Sequence, residues 1–123
     1  MNKTYNTIDL FAGCGGLTDG FAQEGHFHTM GCVEWEKPMC ETLAHRLYTK
    51  WKHQNAQEGV IRFDIQRTDE LIKGFDDPVY GKSKGLDALV GNRKVDIIIG
   101  GPPCQAYSLA GRIRDEHGMR NDY

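Results

Sequence analysis

The run VDIII, at residues 95–99, limits the possible folds of this 123-residue chain more than any other feature. It is apolar and β-branched and does not alternate with polar residues, which is typical of a central parallel strand covered on both faces. Upstream, shorter β-type segments alternate with segments of helical periodicity. That alternation predicts an α/β unit built around a parallel sheet. At this length we expect one domain with a modest core.

The remaining elements follow from local pattern. Strands are predicted at residues 5–11, 28–35 and 60–64, and helices at residues 17–25, 38–51 and Thr68–Lys73, with a helical turn at 86–90. Gly25 is expected to end the first helix. The second helix carries an apolar stripe that we expect to face the core, formed by Met39, Cys40, Leu43, Ala44, Leu47, Tyr48 and Trp51. Residues 74–85, GFDDPVYGKSKG, are rich in turn formers and predict a loop.

Composition excludes few classes of protein. The net charge of −2 gives no global basic field that would attract nucleic acid, although local patches matter more. No apolar run suits a signal peptide or a membrane span, so we expect a cytoplasmic protein without a membrane partner. The four cysteines are expected to be free thiols. Zinc binding by Cys32, Cys40 and His45 is disfavoured because the spacing fits no usual site, and no metal is expected.

A glycine-rich loop follows the first predicted strand. Gly13, Gly15 and Gly16 lie where open α/β folds bind nucleotides. Glu34 ends the second strand about 20 positions after Gly13, the offset of an acid that binds ribose hydroxyls. A tight turn plus a surface acid is the simpler alternative. The Gly-Cys-Gly-Gly spacing departs from the Gly-x-Gly-x-x-Gly of nicotinamide-binding proteins, which disfavours an NAD-dependent oxidoreductase.

Asp64 closes the third predicted strand at the same edge of the sheet. It could accept a hydrogen bond from an adenine amino group. It could equally be a helix cap for the turn that follows, a role that aspartate often takes. The sequence leaves both roles open.

Cys104 follows the last predicted strand through the segment GGPP. Free cysteines are usually small hydrophobic residues. Here Pro102 and Pro103 restrict φ and remove backbone donors, so a stiff segment precedes the thiol. Together with the polar Gln105, this favours a nucleophile. The arginines beyond it, Arg112 and Arg114 among them, belong either to a solvated loop or to phosphate contacts.

In their order along the chain, DLFAGCGG, the acid of VEW, Asp64-Ile65 and GGPPCQAYS resemble the N-terminal part of the DNA cytosine-5 methyltransferases. The resemblance implies a Rossmann-like S-adenosylmethionine-dependent methyltransferase fold, here the N-terminal portion of a doubly wound, mostly parallel sheet. It implies methyl transfer to carbon 5 of cytosine in double-stranded DNA, as in restriction–modification enzymes, with S-adenosylhomocysteine as product.

The resemblance also assigns roles. Cys104 would attack carbon 6 of a flipped-out cytosine, Glu34 would bind the ribose, and Gly101 would lie near the sulfonium. The implied cofactor residues are Phe11, Ala12, Gly13, Gly15, Gly16, Glu34, Trp35, Asp64, Ile65 and Gly101. The implied DNA contacts are Gln105, Ser108, Arg112 and Arg114, in a mobile catalytic loop spanning residues 104–123.

The family's later segments, including a catalytic glutamate and the target recognition domain, do not occur within these 123 residues. We therefore expect residues 1–123 to be a partial catalytic domain, either truncated or one half of a split enzyme. Its partner would be the C-terminal part or a complementary subunit. Alone, it is expected to be inactive and to self-associate through an open sheet edge. A tRNA cytosine-5 methyltransferase and a non-catalytic subunit remain alternatives.

Overall fold

The computed structural model describes residues 3–102. In chain order the elements are β1 (Tyr5–Asp9), α1 (Gly16–Glu24), β2 (Phe27–Glu34), α2 (Lys37–Thr49), α3 (Ala56–Gly59), β3 (Val60–Arg62), α4 (Thr68–Lys73), β4 (Phe75–Asp77), β5 (Gly81–Ser83), α5 (Gly85–Val90) and β6 (Ile97–Ile99).

The main sheet of the described residues is parallel, with strand order β3-β2-β1-β6. The chain winds outward from β1 to β3 and then returns to the other side of β1 as β6. The strand order therefore reverses beside β1, and open α/β sheets bind ligands at the carboxyl edge of such a reversal. The predicted mixed α/β fold with a mostly parallel sheet is confirmed.

Two apolar clusters cover the faces of this sheet. The first packs Val33 against Leu71 of α4 and Leu86 of α5, and the second places Cys32 with Leu43 of α2. Because neighbouring residues of β2 are buried in different clusters, the strand shows no polar alternation. This is the burial expected of a parallel strand between two layers of helices.

Most elements lie where periodicity predicted them. Helix α4 has the predicted bounds, and Gly25 caps α1 in the left-handed conformation at φ 94°. The first and third strands end two residues earlier than predicted, at Asp9 and Arg62. Asp64 consequently lies in a turn beyond the strand.

The loop prediction for residues 74–85 was wrong, because β4 and β5 pair there as an antiparallel hairpin (residues 75–83). Its strands are three residues each, too short to show alternation. Tertiary packing stabilises them: Phe75 stacks on Phe63 with ring centroids 3.9 Å apart. At the base of the hairpin, Gly85 has φ +84°, and a Cβ there would lie 2.5 Å from the backbone of Gly74 and Ile72.

Two further predictions need correction. The run at residues 95–99 forms only the three-residue β6, which pairs with β1 at an edge of the described sheet, and Ile98 is 62% exposed. Within residues 3–102 it is therefore not a central strand covered on both faces. In the stripe of α2, Leu43 and Leu47 are buried as predicted, but Tyr48 is 60% exposed. The apolar pattern predicts which face of the helix is buried, but it does not predict how much of each residue on that face is covered.

Candidate cofactor-binding site

The parallel strands bring their carboxyl ends to one edge of the sheet. Backbone hydrogen bonds continue past the strand ends: Leu10 N donates to Ile99 O (3.0 Å), Ala12 N to Val33 O (3.1 Å), and Phe63 N to Glu34 O (3.2 Å). The segments after β6, β1, β2 and β3 therefore lie side by side in that order. This edge carries the candidate site.

The glycine loop and the acid at the end of β2 are in direct contact. Gly13 N donates to Glu34 Oε1 (3.0 Å), and Glu36 N donates to Glu34 Oε2 (2.9 Å). Gly13 has φ +57°, and no atom lies within 4 Å of the place a Cβ would take. The backbone at Gly13 is therefore open to close approach by a ligand.

The other loop residues differ in exposure. Ala12 is buried and accepts a hydrogen bond from Gly15 N at 2.9 Å, which closes the turn before α1 begins at Gly16. Phe11 is half-buried, and its Cδ2 lies 3.1 Å from the place a Cβ on Gly100 would take. The close approach of Phe11 therefore favours glycine after β6.

Sequence reasoning missed a buried acid beneath this loop. Asp9 is 0% exposed; its Oδ2 accepts the Thr18 hydroxyl at 2.7 Å and its Oδ1 accepts Phe11 N at 3.3 Å. Burial raises the pKa of Asp9, and the charge of Glu34 raises it further. The signal in the sequence was an acid placed directly at the end of a strand, before a glycine loop. Asp9 ties β1, the loop and α1 together.

Asp64 lies in a turn of residues 64–67, where its side chain accepts a hydrogen bond from the backbone. Gln66 N donates to Asp64 Oδ1 (3.0 Å), and Arg67 N donates to Asp64 O (3.1 Å). Asp64 does not cap α4, whose N-cap residue is Arg67 and which has no side-chain cap, so the helix-cap alternative is not supported; the turn uses one carboxyl oxygen of Asp64. Ile65 packs against the first apolar cluster. Trp35 is 39% exposed beside Glu34, and its carbonyl accepts Arg62 Nε at 3.0 Å.

Gly101 is exposed just beyond β6. The nucleophile and DNA contacts predicted from sequence lie outside the described residues, as does the catalytic loop predicted for 104–123; these residues are Cys104, Gln105, Ser108, Arg112 and Arg114.

The zinc alternative gains no support from the described thiols. Burial raises the pKa of Cys32 to about 12 and that of Cys40 to about 11. In the described part of the chain, no group of three or more His, Cys, Asp or Glu side chains is placed to hold a metal ion. Cys40 Sγ donates instead to Glu34 O at 3.3 Å. Among residues 3–102, no helix is both long and apolar enough to cross a bilayer.

Comparison with known proteins identifies the family. The family model for C-5 cytosine-specific DNA methylases matches residues 5–122. The chain belongs to this family. The match confirms the resemblance read from DLFAGCGG and GGPPCQAYS, and it leaves the nicotinamide alternative without support.

Individual relatives of this chain are named type II methyltransferases. The chain is 35% identical over 113 residues to M1.HphI of Haemophilus parahaemolyticus, covering 92% of the chain and 24% of the relative. It is 36% identical over 110 residues to M.HgiGI of Herpetosiphon aurantiacus, covering 89% and 67%. It is 35% identical over 111 residues to M.Sau96I of Staphylococcus aureus, covering 90% and 20%. The chain thus spans about a quarter of the first relative and a fifth of the third.

Proposed function

We propose that this chain binds S-adenosylmethionine at the carboxyl edge of its sheet and supplies Cys104 as the nucleophile for methylation of cytosine at carbon 5 in double-stranded DNA. The observation that supports this most directly is the contact between Gly13 N and Glu34 Oε1, in a chain of the cytosine-specific DNA methylase family. It joins the glycine loop to the acid that would bind ribose.

The residues present fit this cofactor. A carboxylate has about four lone-pair sites, so Glu34 can accept two backbone amides and still accept ribose hydroxyls. Trp35, 39% exposed and adjacent to Glu34, would lie against adenine, and Asp64 offers a carboxyl for the adenine amino group. The open backbone at Gly13 permits close approach. When bound, S-adenosylmethionine supplies an electrophilic methyl group.

The role of Cys104 follows from the chemistry of cytosine. The base must leave the duplex before a protein side chain can reach it, at a cost of a few kcal/mol. The thiolate of Cys104 then forms a bond to carbon 6, which makes carbon 5 nucleophilic enough to take the methyl group. A base removes the proton from carbon 5, the bond from Sγ to carbon 6 breaks, and the ring and the thiolate are restored. Pro102 and Pro103 restrict the backbone before the nucleophile, which favours one angle of attack.

The cofactor assignment is tested by calorimetric titration of the chain with S-adenosylhomocysteine. Glu34→Gln removes the negative charge that would accept the ribose hydroxyls, so we expect binding to weaken by about tenfold or more. Glu36→Gln is the matched control, because Glu36 is an exposed neighbour whose backbone amide contacts Glu34. Circular dichroism of each variant establishes that it is folded. Equal affinity of Glu34→Gln and the unchanged chain would refute the assignment.

The covalent step is tested in an enzyme reconstituted from the chain and the family's C-terminal segments. Duplex DNA containing 5-fluorocytosine should trap the adduct, because fluorine cannot leave carbon 5 as the proton does. We expect Cys104→Ser to abolish the trapped complex, and Cys14→Ser, at an exposed thiol, to retain it. A trapped complex in Cys104→Ser would overturn the role of Cys104. Transfer of methyl groups to tRNA in place of duplex DNA would favour the tRNA enzyme.

A further inference from the structure

Arg67 connects the turn that contains Asp64 to the β4–β5 hairpin. Arg67 closes the turn through its backbone amide, which donates to Asp64 O at 3.1 Å. Its guanidinium lies 2.9 Å from Asp77 Oδ1 in the hairpin and also donates to both carboxyl oxygens of Glu70, at 3.0 and 2.6 Å. The residue that ends the turn therefore contacts the hairpin.

Asp77 is the fixed partner of this pair. Its other oxygen, Oδ2, accepts Val79 N at 2.9 Å and Tyr80 N at 3.0 Å. These amides lower the pKa of Asp77, and Arg67 lowers it further, so the carboxylate stays charged. The Asp77 side chain is 10% exposed, against 36% for Arg67. The hairpin thus presents a largely buried carboxylate, held by two backbone amides, to the more exposed guanidinium of Arg67.

Aromatic packing reinforces the same connection. The Phe63 ring, just before the turn, stacks on Phe75 at 3.9 Å and meets Tyr80 edge-on at 5.2 Å. The Arg67 guanidinium lies over the same Phe63 ring, 4.6 Å from its centroid. The residues on both sides of Asp64 are therefore held by the hairpin.

We propose that Asp77 is a positioning residue: through Arg67 it fixes the turn of residues 64–67 so that Asp64 can recognise the 6-amino group of adenine. The hairpin, which the sequence predicted to be a loop, then belongs to the machinery that selects the cofactor's base. This inference rests on the proposed function, since it assumes that the cofactor's adenine lies at Asp64.

The test compares two ligands that differ at position 6 of the purine and in the proton on the adjacent N1. S-adenosylhomocysteine carries the amino group there, and S-inosylhomocysteine carries an oxygen. Calorimetric titration of the chain gives the affinity for each, and the ratio of the two measures recognition of the purine edge that carries the amino group; the loss of that ratio in Asp64→Asn assigns it to Asp64. An unfolded fraction binds neither ligand and leaves the ratio unchanged, so the ratio separates positioning from loss of stability.

The decisive variant is Asp77→Asn, and Asp76→Asn is its matched control. In Asp77→Asn the amide oxygen can still accept from Val79 N and Tyr80 N, but the charge facing Arg67 is lost. Asp76 is the adjacent residue of the hairpin, and its side chain is 78% exposed with Lys82 3.8 Å away. Asp64→Asn provides the reference for complete loss of recognition.

We expect the unchanged chain and Asp76→Asn to prefer S-adenosylhomocysteine by about tenfold. In Asp77→Asn the preference should fall to about twofold, close to that of Asp64→Asn. An unchanged preference in Asp77→Asn would overturn the positioning role, including the case in which the affinities for both ligands fall by the same factor. Equal affinities in the unchanged chain would overturn it too, while leaving cofactor binding intact. Binding of neither ligand would instead refute the proposed function, and this inference with it.

Discussion

Two aspartates anchor neighbouring segments of the same sheet edge by opposite physical means. Asp9, under the glycine loop, is 0% exposed and accepts hydrogen bonds from the Thr18 hydroxyl and Phe11 N. Asp77, in the hairpin, pairs with Arg67 and accepts two backbone amides. Burial raises the pKa of Asp9, whereas the amide donors and Arg67 lower the pKa of Asp77.

The difference indicates how firmly each half of the candidate site is held. Hydrogen bonds to a buried carboxyl are barely screened by salt, so we expect the contacts that Asp9 makes under the glycine loop to change little with ionic strength. The Asp77–Arg67 pair lies partly in solvent, where screening weakens ion pairs. We therefore expect the turn of residues 64–67 to depend more on salt, and on the hairpin, than the glycine loop does.

The largest expected effect comes from breaking the hairpin at its base. A Cβ on Gly85 would meet the backbone of Gly74 and Ile72 at 2.5 Å with φ at +84°. Gly85→Ala should lower the free energy of unfolding by about 3 kcal/mol or more. Gly81→Ala is the control: its φ is +83°, but nothing lies within 4 Å, so the loss should be about 1–2 kcal/mol. Denaturant unfolding measures both, and equal losses would contradict the packing argument.

A smaller effect is expected from removing the buried carboxyl. Asp9→Ala leaves the Thr18 hydroxyl and Phe11 N without their acceptor, which should cost about 2 kcal/mol in the free energy of unfolding. Asp96→Ala removes a partly buried acceptor of Asn6 N and should cost about 1 kcal/mol. Denaturant unfolding again gives both values. If Asp9→Ala is no more destabilising than Asp96→Ala, the glycine loop is held by other contacts.

The smallest expected effect is a difference in pH dependence. Because the folded pKa of Asp9 is raised, its contribution to stability is fully present below the ordinary value of 3.8 and is lost as pH rises through the folded pKa. Because the folded pKa of Asp77 is lowered, its contribution is present above 3.8 and is lost as pH falls through the folded pKa.

Replacing each aspartate by asparagine should therefore flatten opposite sides of the stability profile. Unfolding free energies measured at about pH 3 to 6 should change less above 3.8 in Asp9→Asn and less below 3.8 in Asp77→Asn. Parallel changes in both variants would show that the two anchors do not differ electrostatically.

Much of this architecture could be predicted from local pattern. Helical spacing located α4 at its observed bounds, and Gly25 marked the end of α1. The spacing of Gly13 and Glu34 anticipated two segments that the structure joins at 3.0 Å. These features were predictable because each depends on periodicity, on a capping residue, or on the rule that parallel strands end at one edge.

Other features depend on contacts that no local window contains. The local sequence of residues 75–83 predicts a loop. The hairpin is stabilised by the packing of Phe75 and Tyr80 on Phe63, which lies outside that segment. The buried carboxyl of Asp9 has its hydrogen-bond partner, Thr18, in the following helix. The carboxylate of Asp77 has its ion-pair partner, Arg67, in a different turn.

The sequence by itself determined the α/β class, the family and the edge of the sheet at which the candidate site lies. Each of these depends on a pattern within a short stretch of sequence: the period of a strand or helix, or one of the two glycine-containing motifs. Only the tertiary structure decided which contacts hold the segments at that edge in place. A side chain's burial, and hence its pKa and the strength of its bonds, is set by distant segments that pack around it. Asp9 and Asp77 are chemically identical in the sequence, and their surroundings alone give them opposite electrostatic character.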